Sequence, residues 1–158
     1  MRRCFVELDE FRGGLMHGDF SRLAPSFDRQ LIERLDALAL AEALTCASFL
    51  GRTDIAEWLL ARGVDPAGGN GTGLDALHWA VNRGQLEAVR LLLRHGAPLE
   101  TRNMYGTTVL GTAVWSAINE PRPDHPQIIE ELFAAGANAD GVELPTGDER
   151  IDALLRRR

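Results

Sequence analysis

The chain has no lysine; all 17 of its basic residues are arginine. GC-rich coding alone would produce that bias, but it leaves every cation as a planar fork suited to carboxylates and aromatic faces. Cysteine is scarce too. Cys4 and Cys46 are the only two, and their spacing excludes a cysteine-built metal site. Cys46 sits in a helical apolar pattern and reads as a small buried hydrophobe. No apolar run approaches the roughly 18 residues a membrane span needs, so no membrane partner is expected. Asp9 and Glu10 follow the Met1 start before any apolar stretch long enough for a signal peptide. A reducing, cytoplasmic setting is the resulting expectation. Net positive charge is also missing: the formal charge of −6 disfavours nucleic-acid backbones and anionic membranes as partners. What remains is an ordinary globular composition, 45% hydrophobic and 25% charged, in a chain of 158 residues that suits one domain.

Known reaction motifs are absent as well. There is no Gly-x-Ser-x-Gly elbow, no Cys–His pairing with a supporting acid and no phosphate loop. The stretch Gly68-Gly69-Asn70-Gly71-Thr72-Gly73 is glycine-rich. It lacks the Lys-Ser/Thr that would follow in a phosphate cradle, and it reads as a flexible turn. No cofactor or metal is expected.

What the chain does have is a pattern written twice at a spacing of 33 residues. Leu44, Ala47, Gly51, Leu60 and Gly63 return as Leu77, Ala80, Gly84, Leu93 and Gly96. A period of this size marks stacked supersecondary units. Inside each unit the apolar spacing predicts two helices, each closed by a glycine able to take the left-handed conformation. In the second unit these carry Leu77, Ala80 and Val81, then Leu86, Val89, Leu92 and Leu93. The turn-rich Asp65–Gly73 segment between units reads as an extended finger.

A third unit begins at Gly106, with Leu110 and Ala113 again 33 beyond Leu77 and Ala80. Gly136 then lies 40 beyond Gly96, so seven residues are inserted, and they fall in the three-proline loop Asn119–Pro126. Ile128, Ile129, Leu132 and Phe133 resume the second helix. A half-unit follows, its helix expected to open on a capping box from Thr146 to Glu149. At the other end Phe11–Phe27 reads as a decayed leading unit, and Arg29–Leu38 as an amphipathic helix. The boundaries that follow are an irregular cap at 1–39, repeats at 40–72, 73–105 and 106–146, and a half-repeat cap at 147–158.

Asp75-Ala76-Leu77-His78-Trp79-Ala80, with Gly84, Leu92-Leu93 and Gly96-Ala97, resembles the ankyrin repeat, and the likeness extends over about residues 40–155. Asp75-Ala76 replaces the family's Thr-Pro, Thr45 and Gly111 stand at the position of His78, and Ala117 stands at that of Gly84. The resemblance implies an all-α solenoid of antiparallel helix pairs with β-turn or hairpin fingers projecting from one edge. It also implies that partners bind at the finger tips and on the concave face of the first helices, and that His78 bonds neighbouring backbone rather than acting as a base. By this likeness Phe49, Leu50, Asn82, Arg83, Trp115 and Ser116 line the concave face.

Aromatic and arginine residues anchor interfaces most often, which singles out Trp115. A second reading packs Trp115 under the Pro121–Pro126 loop or on Trp79, and the sequence leaves both open. Arg102, Met104 and Tyr105 form a candidate finger tip, while Trp58 and Trp79 read as core. His17, His95 and His125 show no evident partner.

The expected function is a non-catalytic, monomeric module that binds another protein. A narrower form is a regulator, or an immunity-type inhibitor, of a partner enzyme. An alternative from another class is an enzyme or small-molecule binder using Asp124 and His125 of the inserted loop.

Overall fold

The computed structural model of the chain describes residues 2–69 and 71–157, with side chains from residue 8 onward. Asn70 of the glycine-rich turn, Arg158 and the Cys4 side chain lie outside them. Three helix pairs form the stack: α4 (Ala37–Leu50) with α5 (Thr53–Ala61), α6 (Ala76–Asn82) with α7 (Leu86–Arg94), and α8 (Val109–Asn119) with α9 (His125–Ala134). The first helices α4, α6 and α8 pack side by side as one layer, and α5, α7 and α9 form a second layer behind them. The leading helices α1 (Arg2–His17) and α2 (Phe20–Leu23) cover α4, α3 (Arg29–Ile32) follows them, and α10 (Glu149–Arg156) rests on α9.

The recurring glycines set this geometry. A backbone N–H just past the helix returns to the carbonyl five residues earlier at Asp19, Arg52, Val64, Gln85, Ala97 and Ala137, over distances of 2.9–3.2 Å. Each closure follows a glycine with positive φ, as at Gly51 (73°) and Gly84 (68°). This is the Schellman arrangement, in which the left-handed residue carries no Cβ penalty. Leu44, Leu59, Leu77, Leu92, Leu110 and Leu132, all completely buried, fill the space between the layers. The leading unit obeys the same rule: Gly18 ends α1, and its second helix shrinks to the single turn of α2 before the 3-10 segment at Pro25.

Three local expectations change. The helix expected over Arg29–Leu38 stops after one turn, because Asp36 caps α4 by accepting from the Ala39 N–H at 2.9 Å. Breaking there lets both Ile32 and Leu35 reach the core. At the far end Asp148, not Thr146, caps α10, accepting from the N–H groups of Arg150 and Ile151. Thr146 instead donates from Oγ1 to Asp152 at 2.6 Å. The insertion is shorter as a loop than expected. It lengthens α8 past the Ala117 position to Asn119, and Pro126 joins the first turn of α9, where its missing N–H costs nothing. The fingers take the turn form of the expected β-turn or hairpin, and no strand occurs among the described residues.

Candidate functional site

His78 is buried between units. It contacts Thr112 Oγ1 through Nδ1 and donates from Nε2 to the Thr101 carbonyl, both at 2.9 Å. Asp75 completes the knot, accepting from the His78 N–H at 3.0 Å and from Thr101 Oγ1 at 2.8 Å. One unit earlier Thr45 plays the same part, donating to the Gly69 carbonyl at 2.7 Å. Gly69 has no room for a Cβ against that hydroxyl and the Ala41 carbonyl. Nor is this turn an anion cradle: the Gly71 N–H points at Glu42 Oε1, 2.7 Å away. Glu42 is itself buried, its other oxygen has no hydrogen-bond partner, and burial holds its carboxyl above the ordinary range.

His125 also has partners the sequence did not reveal. Its Nδ1 accepts from the Arg122 N–H at 3.0 Å, and its Nε2 donates to the Val81 carbonyl at 2.9 Å. Burial, the first cause, lowers its pKa, and the neighbouring Arg122 charge works in the same direction. With both nitrogens engaged and 1% exposure, His125 offers no free base beside the exposed Asp124. Its work is to hold the insertion onto α6. Among the described residues, no group of three or more His, Cys, Asp or Glu side chains could hold a metal ion, and no helix is long and apolar enough to cross a membrane.

The concave-face candidates separate into two groups. Trp115 stands 52% exposed. Met104 (65%) and Tyr105 (77%) project from the finger tip, where Arg102 donates to the Gly106 carbonyl at 2.7 Å. The Met104 N–H is bonded to the Gly73 carbonyl of the preceding finger at 2.8 Å, so the tip is anchored rather than loose. The remaining candidates turn toward the protein. Ser116 is fully buried and accepts from Asn82 Nδ2 at 3.0 Å, which corrects its placement on an open face. Phe49 and Leu50 are partly buried against the core. Phe49 lies edge-on to Phe20 and Trp79 at 5.5 and 5.1 Å, and the Arg83 guanidinium covers its ring at 4.8 Å.

The two tryptophans expected in the core are half-buried instead. Trp79 donates from Nε1 to Thr72 Oγ1 at 2.8 Å. Trp58 packs one side on the core, while Arg62 and Arg29 stack over its ring at 4.3 and 5.2 Å. Such cation–π contacts let an aromatic ring stay at the surface without an apolar cover.

Trp115 and Tyr105 share a groove of about 940 Å³ with a segment the sequence did not single out, residues 141–146. Ile118 and Asn119 of α8 line it too, as do Val142 and Glu143, and Leu144 beside them is 44% exposed. The repeat boundary at residue 146 already includes this segment as the finger closing the third unit, but no aromatic or arginine in it marked a contact surface.

The family model for ankyrin repeats, in three copies, matches residues 43–142. Protein phosphatase 1 regulatory subunit 27 of Homo sapiens is 37% identical to this chain over 71 residues, 45% of this chain and 42% of the relative. The protein of the same name from Mus musculus matches to the same extent. The chain thus spans less than half the length of these curated relatives.

Proposed function

Because the chain belongs to the ankyrin-repeat family, whose repeats are protein-interaction modules, we propose that it is a non-catalytic module that binds a partner protein through the groove between α8 and the last two fingers. The observation that carries this reading is the exposure of Trp115 and Tyr105 on one concave surface. Large aromatic side chains left half or more in water, in a protein that buries most of its other large apolar groups, are what a partner would cover. Of the other concave-face candidates, Asn82 lines the groove and is held by Ser116 behind it. In affinity capture from the native host, Trp115→Ala and Tyr105→Ala should each release the bound partner with far-UV helicity unchanged. A partner retained through both substitutions would overturn the surface assignment.

A second reading makes the bound partner an enzyme whose activity the module controls. The chain's similarity to a regulatory subunit of protein phosphatase 1 favours this reading over an inert scaffold. Titrating this chain into the purified phosphatase catalytic subunit should change its activity and saturate at one equivalent; unchanged activity at tight-binding concentrations would exclude that enzyme as the target.

A further inference from the structure

We propose that the groove beside α8 holds an extended segment of the partner protein carrying a basic side chain, whose cation is set against Glu143 and whose aliphatic stem lies on Trp115. The inference rests on the proposed function and specifies the chemistry of what is bound. Three observations support it. The first is why the groove exists. At the equivalent position of the earlier units, a side chain crosses from the first helix to a finger carbonyl: Thr45 to Gly69, then His78 to Thr101. In the third unit that position is Gly111, which lines the groove and has nothing with which to cross it. The Thr107 methyl stands against the bare Gly111 backbone, and no side chain from this helix position bridges the groove to the next finger.

The second observation concerns the backbone of the segment that borders the groove. Among the described residues, nothing donates to the carbonyls of Gly141, Val142, Glu143 and Leu144, and the N–H groups of Gly141, Glu143 and Leu144 have no acceptor. The preceding finger is closed on itself, with the Asn103 N–H on the Thr107 carbonyl and the Gly106 N–H on the Asn103 carbonyl. A run of free donors and acceptors along one wall suits an extended chain, which supplies both in alternation. A compact small molecule could match only a few.

The third observation is charge. Among the described residues, Glu143 is the one charged side chain lining the groove, and none of the lining residues is basic. The other polar groups there are amides and hydroxyls. Some are already engaged: Asn103 donates to Thr112 at 3.2 Å, and Asn119 to the Trp115 carbonyl at 2.9 Å. A carboxylate beside exposed aromatic faces favours a lysine or arginine, through ion pairing and cation–π contact together. The formal charge of −6 on the whole chain adds attraction at long range.

A display library of random linear peptides, selected on the full chain, tests this. Enriched peptides should carry a lysine or arginine flanked by apolar residues. Measured by fluorescence anisotropy, the Kd of such a peptide should weaken by about tenfold or more with Trp115→Ala and again with Glu143→Arg. Replacing the basic residue of the peptide by glutamate should restore binding to the Glu143→Arg protein. Both sites are exposed, and an unchanged Tm verifies that the variants are folded. Peptides that depend on Trp115 but are indifferent to Glu143→Arg, or that are enriched in acids, would overturn this inference and leave the proposed function standing. Recovery of no Trp115-dependent peptide would overturn both.

Discussion

His125 uses both ring nitrogens to tie the insertion to the carbonyl end of α6, and only its neutral form can do so, because Nδ1 must accept the Arg122 N–H. His125→Ala strands that N–H and the Val81 carbonyl and leaves a small void. The expected cost is about 2–3 kcal/mol in urea unfolding near neutral pH. The pH dependence has a definite sign. Burial lowers the folded pKa below the ordinary 6.5, so the unfolded chain takes up the proton first. Stability contributed at this site is therefore full above about pH 6.5, falls as pH drops toward the lowered folded value, and levels off below it. The alanine variant should lose that acid-side decline. Glu42 works in the opposite sense. Its folded pKa is raised from 4.5 by burial, so stability is highest below about pH 4.5 and falls as pH rises through the folded value. Glu42→Gln keeps an oxygen for the Gly71 N–H and removes the buried charge. Its stability relative to the parent should improve between about pH 4 and pH 8 in parallel urea titrations, and a constant difference would show that the Glu42 pKa does not change on folding.

Helix starts in this chain depend on side chains that differ in what else they hold. Asp36 caps α4 with one bond to Ala39 and also meets Arg12 at 2.9 Å in the open. Asp75 caps α6 and, with its other oxygen, binds the finger threonine Thr101 in a buried setting. Asp36→Ala should therefore cost about 1 kcal/mol and Asp75→Ala about 2–3 kcal/mol in thermal or urea melts. Equal losses would mean that the Asp75–Thr101 link contributes nothing. The ends of these helices were legible in the sequence, because a glycine at a fixed spacing is a direct requirement of the left-handed closure. The starts were less so. Arg29–Leu38 has helical periodicity throughout, and nothing local says that Asp36 will cap the next helix instead of lying within the present one. The same difference holds at the site. Trp115 could be found because it falls just past the buried pair Ala113 and Val114. Asn82 and Ser116 were misplaced because they lie on the same face but pair with each other across 34 residues. Glu143 was missed because a single acid in an exposed turn carries no spacing or aromatic signal of its own.

Each unit of the stack touches mainly the units on either side, and this makes stability a local property of a long molecule. The central pair α6–α7 is covered on both sides, by α4–α5 and by α8–α9. Among the described residues, the last pair is followed by α10, a helix of 8 residues that buries Ile151 and Leu155. Truncating Ile151 to alanine removes one of these two apolar anchors, at an expected cost of about 2–4 kcal/mol to the structure it supports. In a chain that unfolds as a single cooperative unit, that loss would accelerate amide exchange equally at every slowly exchanging site. In a chain held by nearest-neighbour contacts, the loss stays near the end that suffered it. Native-state hydrogen exchange of Ile151→Ala should therefore show faster opening of α10 and α9, a smaller effect in α8, and little change in α4 and α5. The parent protein should show its slowest exchange in α6 and α7. The expected weakness coincides with the proposed groove, since residues 141–146 connect α9 to α10 and form one wall of it. A bound segment that pairs with that wall should slow exchange in α10 and α9 as well, although it touches neither helix directly.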